Sequence, residues 1–214
     1  MAVKALDTLE LASHGPVIPV IVIERLEDAL PLAEALLAGG VRVLEVTLRT
    51  QQALAAIELI ANRLPEAIVG VGTVLNARDA QRACEAGARF AVSPGYTAEL
   101  GQACKALHLP LLPGVATSTE IMAALADGYS FLKLFPAQAV GGINLLKAWA
   151  SPFGQVSFCP TGGITLETAP LYLALPNVRC IGGSWLTPAD ALHGGHWSQI
   201  TDLARQTHSL RRVR

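Results

Sequence analysis

The chain has 214 residues, of which 51% are hydrophobic and 15% are charged, and its formal net charge is -1. This balance suits one substantial core, and it excludes a strongly basic surface of the kind that binds nucleic acid. The only basic run, at residues 211–214, is interpreted as a solvated tail. No apolar run reaches transmembrane length and no stretch resembles a signal peptide, so we expect a cytoplasmic protein with no membrane contact.

The cysteines and histidines follow no metal-binding or disulfide pattern. Four cysteines occur without a Cys-x-x-Cys spacing and are expected to be reduced thiols: Cys84, Cys104, Cys159 and Cys180. His193 and His196 form a close pair with no third ligand nearby, so we interpret them as part of a surface loop. We therefore expect no metal, and the absence of P-loop and dinucleotide fingerprints disfavours nucleotide chemistry.

Short β-branched or apolar runs recur along the chain, each followed by an alanine- and leucine-rich stretch with helical spacing. The predicted strands are 17–23, 43–47, 68–72, 90–93, 111–114, 131–134, 157–160 and 178–182, with helices such as 26–38 and 51–62 between them. Strands that start roughly every 20 to 26 residues favour an α/β fold of the closed (β/α)8 TIM barrel type over an open sheet. No linker interrupts the pattern, which predicts a single domain over residues 1–214.

Glycines mark the ends of the predicted helices. Gly39 or Gly40, Gly87 and Gly128 stand where a left-handed C-cap is expected before the next strand. Residues 5–13 are predicted to form an additional N-terminal helix across the bottom of the barrel. Residues 196–212 are predicted to form a closing C-terminal helix.

The second predicted strand carries charged residues at alternate positions. Its period of two places Glu45, Thr47 and Arg49 on the barrel side, and Leu44, Val46 and Leu48 face the helices. A buried carboxylate is costly unless it has a partner. The sequence leaves two partners open for Glu45, which are Arg49 in a structural ion pair and Lys133 from the sixth strand.

Lys133 lies in the middle of the apolar run 131–136. A solvent-facing lysine is one interpretation, but strand parity turns Lys133 and Phe135 inward and Leu132 and Leu134 outward. Burial disfavours the charged form of an amine, so we expect a lowered pKa and a more reactive nucleophile.

Turns and glycine pairs follow several predicted strands, where the active sites of such barrels lie. Thr73 follows the third strand, and Pro94 lies in a tight turn after the fourth. Glycine pairs after the last two strands are expected to let backbone N–H groups approach a phosphate; they are Gly162, Gly163, Gly182 and Gly183, with Ser184 beside them.

A buried amine, a carboxylate, an arginine and a phosphate cradle together indicate Schiff-base chemistry on a phosphorylated keto acid. Lys133 is predicted to attack the ketone, and Glu45 to move protons as general base and acid. Arg49 is predicted to bind the substrate carboxylate with its planar fork, and Thr73 to donate to the same group.

Several longer motifs resemble those of the 2-keto-3-deoxy-6-phosphogluconate (KDPG) and 4-hydroxy-2-oxoglutarate (KHG) aldolases. The resemblance runs from residue 15 to residue 186, and its most specific parts are residues 38–50, 71–76, 133–137 and 159–164. Gln138 departs from the family pattern, in which glutamate is expected, so we predict a change in substrate preference or rate rather than a loss of activity.

The resemblance implies a metal- and cofactor-independent homotrimer of (β/α)8 barrels that releases pyruvate and glyceraldehyde 3-phosphate in the Entner-Doudoroff route. A second implied activity cleaves KHG to pyruvate and glyoxylate. It implies that Lys133 is the Schiff-base lysine, Glu45 the proton-transfer carboxylate, and Arg49 and Thr73 the pyruvate-binding pair. It also implies that Thr161, with Phe135 and Pro94, lies on the aldehyde side, and that phosphate is bound by Gly162, Gly163, Gly183 and Ser184.

Three alternatives remain at the level of sequence. An aldolase for the epimeric 2-keto-3-deoxy-6-phosphogalactonate differs in one stereocentre of its substrate, which the sequence barely distinguishes. A phosphate-sugar epimerase shares the architecture but does not need Lys133 as a nucleophile. A non-catalytic sensor of sugar phosphates needs only the cradle, and the presence of Glu45, Arg49 and Lys133 together disfavours it.

Overall fold

The computed structural model describes residues 7–210, in which strands and helices alternate. The strands are Val17–Ile21 (β1), Val43–Thr47 (β2), Ile68–Gly72 (β3), Ala91–Val92 (β4), Leu111–Leu112 (β5), Gly114–Val115 (β6), Phe131–Leu134 (β7), Ser157–Pro160 (β8) and Ile181–Gly183 (β9). The helices are Thr8–Leu11 (α1), Ala29–Ala38 (α2), Ala53–Arg63 (α3), Ala77–Glu85 (α4), Ala98–Ala106 (α5), Ser118–Ala126 (α6), Gly142–Trp149 (α7), Ala169–Leu173 (α8), Ala189–His193 (α9) and Trp197–Gln206 (α10). Short 3-10 helices cover Leu26–Asp28 and Thr207–Leu210.

The strands pair in parallel throughout residues 7–210. One sheet has the order β5-β4-β3-β2-β1-β9, and a second has the order β6-β7-β8. Pro113 alone separates β5 from β6, and isolated parallel bridges join Phe158 to Val178 and Thr161 to Gly182. The predicted α/β fold with parallel strands is therefore confirmed.

Two sets of buried residues divide the interior. The larger set lies between strands and helices and includes Leu44, Val46, Leu132 and Leu134. The smaller set lies on the opposite side of the strands, with Leu11 added from α1. It comprises Leu11, Ile18, Val43, Ile68, Phe90, Val92, Leu112, Phe131, Cys159 and Cys180. Side chains along β2 and β7 alternate as a period of two predicts. Glu45 and Lys133 therefore point to the same side of the strands as the smaller set.

Local sequence explains how the helices begin and end. Gly40, Gly87 and Gly128 have φ values of +83°, +87° and +85°, so the predicted left-handed positions after α2, α4 and α6 are confirmed. At the other end of α6, Thr117 and Glu120 form a reciprocal capping box that satisfies free backbone N–H groups. These signals fix the loops on either side of each strand.

Several predicted boundaries are wrong by a few residues. The strand predicted at 111–114 is interrupted at Pro113, because proline has no N–H to donate to a sheet. The strands predicted at 17–23 and 90–93 are shorter, and the strand predicted from residue 178 begins at Ile181, because Val178 makes only an isolated bridge.

The terminal helices are also shorter than predicted. The helix predicted at 5–13 is a single turn, Thr8–Leu11, and residues 5 and 6 lie outside the described part of the chain. The helix predicted at 196–212 consists of α10 followed by a 3-10 turn, and residues 211 and 212 likewise lie outside it.

Within residues 7–210, no helix combines the length and apolar character that crossing a bilayer requires. In the same range, no three His, Cys, Asp or Glu side chains are grouped so that they could hold a metal ion.

Candidate active site

The centre of the candidate site is a buried ion pair between Lys133 and Glu45. Strand β7 supplies the lysine and β2 the glutamate, and the Lys133 Nζ atom donates a hydrogen bond to Glu45 Oε1 at 3.2 Å. The two residues are only 5% and 3% exposed. A buried pair of this kind persists only when its geometry offsets the loss of hydration. The buried partner of Glu45 is therefore Lys133, one of the two partners left open by the sequence.

Gly72, at the end of β3, makes room for the Glu45 carboxylate. A Cβ atom at position 72 would overlap Oε1 and would lie 2.8 Å from Cγ and 2.9 Å from Cδ of Glu45. Residues 47 and 72 are also register partners of β2 and β3, so the two strand ends are fixed against each other. A side chain at position 72 would push the carboxylate away from its present place.

An aromatic ring borders the amine. The Lys133 Nζ atom lies 5.2 Å from the centroid of the Phe135 ring, within the range of a cation–π contact. Phe135 is half-buried and follows β7 directly. The ring therefore forms one wall of the space around the amine.

Arg49 and Thr73 lie in the turns that follow β2 and β3. Strand β2 ends at Thr47, so the strand parity predicted for Arg49 does not extend to it, and its side chain is exposed. No salt bridge of the described residues involves Arg49, which leaves its guanidinium available to an anion. Thr73 has a φ of +61°, an uncommon and strained conformation for a β-branched residue.

The loops after β8 and β9 bring together the predicted glycines. Gly162 and Gly163 have φ values of +107° and +76°, which glycine adopts readily and other residues do not. Thr161 is buried and packs against Gly182, where an added Cβ would overlap its side chain. Ser184 is exposed, and a cavity of about 180 Å³ opens beside it, lined by Val20 and Thr187 among others.

Gln138 lies beside the first glycine loop. Its backbone N–H donates to the carbonyl of Gly162 at 3.1 Å, and its side chain covers Gly163 so closely that a Cβ there would overlap Oε1. Pro94, half-buried after β4, packs against Gly114 on β6. Apart from Lys133 and Glu45, which lie within strands, the predicted residues thus lie at or after the carboxyl ends of the parallel strands.

Sequence reasoning missed four residues of this region. Ser93 is fully buried; its hydroxyl donates to the Gly95 carbonyl at 2.6 Å and accepts from the Gly114 N–H at 3.4 Å. Gly72 gave no signal, because its role depends on a neighbouring strand. Cys159 and Cys180 share the enclosed set of residues with Phe131, and only the register of β7 and β8 relates Cys159 to Lys133.

This arrangement suits one kind of chemistry. A buried amine is a nucleophile towards ketones, and a carboxylate at hydrogen-bonding distance moves the protons that imine formation and breakdown require. Glycine loops with accessible N–H groups suit a phosphate. The fold and the site thus define the class of α/β enzymes whose lysine acts on carbonyl compounds.

Comparison with known proteins gives the family. A model described as "KDPG and KHG aldolase" matches residues 9–203, and the chain belongs to this family. The KHG/KDPG aldolase of Escherichia coli (strain K12) is 56% identical over 196 residues, which cover 92% of each chain.

Two solved structures are similar throughout. A KDPG aldolase from Legionella pneumophila, with pyruvate captured at low pH as a covalent carbinolamine intermediate, is 51% identical, with a TM-score of 0.93 over 94% of this chain and 98% of that one. The KDPG aldolase of Zymomonas mobilis ZM4, solved with 3-phosphoglycerate, is 48% identical, with a TM-score of 0.90 over 96% and 97%.

Proposed function

We propose that the protein is a metal-independent Schiff-base aldolase that cleaves 2-keto-3-deoxy-6-phosphogluconate reversibly to pyruvate and glyceraldehyde 3-phosphate. The observation that carries the proposal is the buried Lys133–Glu45 pair, in which a lysine and a carboxylate from distant strands meet at 3.2 Å. The carbinolamine trapped in the Legionella relative supports the same chemistry. The double name of the Escherichia coli relative supports KHG cleavage to pyruvate and glyoxylate as a second activity.

The reaction assigns a step to each member of the pair. The Lys133 amine adds to the C2 ketone, and loss of water gives an iminium ion that withdraws electrons from the C3–C4 bond. Glu45 takes the proton of the C4 hydroxyl as that bond breaks, which releases the aldehyde and leaves an enamine. The protonated Glu45 then returns a proton to C3, and water hydrolyses the imine to give pyruvate and the free amine.

The surrounding residues bind the two ends of the substrate. Arg49 is exposed and carries a fork of donors that matches the pyruvate carboxylate, and Thr73 adds a hydroxyl beside it. The glycine loops receive the phosphate, with Gly162, Gly163, Gly183 and Ser184 as ligands. Thr161, Phe135 and Pro94 line the aldehyde side between them and influence the stereochemistry.

The same proposal includes the architecture. The two sheets form one closed (β/α)8 barrel over a single domain, residues 1–214, in which β5 and β6 are two parts of one strand. The single residue between them and the bridges between residues 158–161 and 178–182 support closure. The N-terminal helix closes the bottom, and the burial of Leu11 among the enclosed residues supports that role.

We also propose a cytoplasmic homotrimer that acts in the Entner-Doudoroff route. Leu75, Met122 and Leu171 are large apolar residues that are 61%, 63% and 59% exposed, and a subunit contact that covered them would remove apolar surface from water. Light scattering coupled to size-exclusion chromatography is expected to give three times the 22.5 kDa chain mass. A monomeric mass at micromolar concentration would contradict the trimer.

Borohydride reduction in the presence of pyruvate tests the central claim. We expect a covalent adduct on the peptide that contains Lys133, identified by mass spectrometry, and none in Lys133→Met. Lys147→Met is the matched control, because Lys147 is exposed on α7 and is expected to leave the adduct unchanged. An adduct on Lys147, or none in the unaltered protein, would overturn the mechanism.

A cleavage assay separates the substrates. KDPG, its galactonate epimer and KHG are compared at equal concentration, with a chelator present and absent. We expect the highest kcat/KM for KDPG and no effect of the chelator. A preference for the epimer would assign the alternative substrate, and sensitivity to the chelator would indicate a metal.

A further inference from the structure

Two buried thiols lie on the inner side of the strands, which also carries the ion pair, and the proposed reaction uses neither. Cys159 on β8 is the Cα register partner of Lys133 on β7, so both side chains point to the same side of the sheet. Cys180 immediately precedes β9. Cys159 is 2% exposed and Cys180 is not exposed at all.

The thiols interact with each other and with the site. A hydrogen bond with the Cys159 thiol and complete burial raise the pKa of Cys180, and the negative charge of Glu45 acts in the same direction. Cys180 therefore remains a neutral thiol. It offers neither a thiolate that competes with Lys133 for the ketone nor a second negative charge beside the amine.

A neutral thiol is a weak hydrogen-bonding group. Sulfur accepts and donates poorly compared with a hydroxyl oxygen, and buried cysteine behaves as a small hydrophobic residue. Among residues 7–210, the hydrogen bond found for the Lys133 amine is the one to Glu45. Within residues 7–210, the titratable groups tied to this ion pair are Glu45 itself, Cys159 as the register partner of Lys133, and Cys180, whose pKa responds to Glu45.

We propose that Cys159 and Cys180 are positioning residues for the aldolase reaction: they flank the Lys133–Glu45 pair with sulfur, which fills the space without offering a strong competing hydrogen bond. The amine and the carboxylate thereby keep each other as partners until the substrate arrives. The inference rests on the proposed function, because it assumes that Lys133 forms the imine.

Serine and alanine variants separate this role from simple packing. Cys159→Ser exchanges sulfur for oxygen, and its hydroxyl is expected to accept a hydrogen bond from the ammonium form of Lys133. The pH at which borohydride trapping of pyruvate is half-maximal should then rise by about one unit. At a pH below this midpoint, the variant should be trapped about tenfold more slowly than the unaltered protein. Cys159→Ala, the matched control, loses packing but gains no hydroxyl, so that pH should move less than in Cys159→Ser.

Cys180→Ser tests the carboxylate side. Its hydroxyl is expected to donate to Glu45 and make that group a poorer base, so exchange of the pyruvate methyl protons with deuterated solvent should slow by about tenfold. Cys180→Ala loses packing but gains no hydroxyl, so its exchange should slow less than in Cys180→Ser. Thermal unfolding of all four variants measures the loss of packing. If the cysteines had a purely structural role, this loss of stability would be the only effect of the substitutions.

The outcomes are distinct. If the serine and alanine variants shift trapping and exchange equally, or if neither serine variant shifts them, the inference is wrong. Should one serine variant fail to fold, the other, compared with its own alanine control, decides. If the unaltered protein forms no pyruvate adduct, the proposed function itself fails, whatever the cysteine variants do.

Discussion

Glu45 is the residue on which proton transfer depends in the proposed reaction, because its Oε1 atom lies 3.2 Å from the Lys133 amine. Glu45→Gln keeps the size and hydrogen-bonding capacity of the side chain but removes its basicity. We expect the variant to retain the borohydride adduct and to cleave KDPG about 10²-fold more slowly, as is usual when a general base is removed. Turnover is measured by coupling the released aldehyde to a dehydrogenase. Unchanged turnover would make Glu45 a structural partner of Lys133.

Gln138 is the residue at which the chain departs from the expected family pattern. Its side chain covers Gly163 in the proposed phosphate cradle, and it is exposed there. Gln138→Glu places a negative charge beside the substrate phosphate, so we expect KM for KDPG to rise roughly three- to tenfold at low salt and less at high salt. Steady-state assays at two ionic strengths measure the effect.

Two controls make the Gln138 prediction specific. KHG carries no phosphate, so its KM should not change in Gln138→Glu. Gln206→Glu adds the same charge at the exposed end of α10 and should leave both substrates unaffected. An equal rise in KM for both substrates would show that the added charge weakens binding of the substrate carboxylate rather than of the phosphate.

Strand β3 contributes to the site through the absence of a side chain. Gly72→Ala would place a Cβ atom against the Glu45 carboxylate, with Cγ only 2.8 Å away. We expect a fall in kcat of at least about tenfold with the fold retained, because a small displacement of a catalytic group is costly. Gly95→Ala is the control, since nothing lies within 4 Å of its added Cβ. Equal activity of the two variants would show that the carboxylate adapts.

Elements were predictable where their signals are local. The left-handed glycines after α2, α4 and α6 stand at the end of an apolar helical pattern, and a period of two gave the inward faces of β2 and β7. The break at Pro113 follows from its missing N–H and was also readable from sequence. The start of β9 was not, because Val178 and Ile181 are only three residues apart and only pairing with β1 separates them.

At the scale of the molecule, the sequence indicated candidate residues for the site but not how they meet. Lys133 and Glu45 are 88 residues apart, and only the pairing of all intervening strands brings them to 3.2 Å. The positive φ of Thr73 had no signal, because threonine rarely adopts this conformation. The exposure of Arg49 depends on where β2 ends. The alternation of side chains along a strand does not predict that end.

The stability of the whole molecule is expected to depend on alkaline pH through Tyr129. Its hydroxyl donates to the Gly101 carbonyl at 3.0 Å, and its ring packs edge-on against Tyr96 at 5.5 Å. Burial, followed by the nearby Cys104 and Asp127, raises the pKa of Tyr129 to about 12. The unfolded chain releases this proton near pH 10, so between pH 10 and 12 the folded state binds more protons and the free energy of unfolding falls as pH rises.

Tyr129→Phe tests this dependence. The variant loses the hydrogen bond to Gly101 and should be less stable than the unaltered protein at pH 8. It has no phenol to ionise, so its free energy of unfolding should decline less steeply from pH 10 to pH 12, and the difference between the two proteins should shrink over that interval. Urea unfolding at intervals of half a pH unit measures both curves. Parallel curves across the interval would show that Tyr129 ionises equally in the folded and unfolded states.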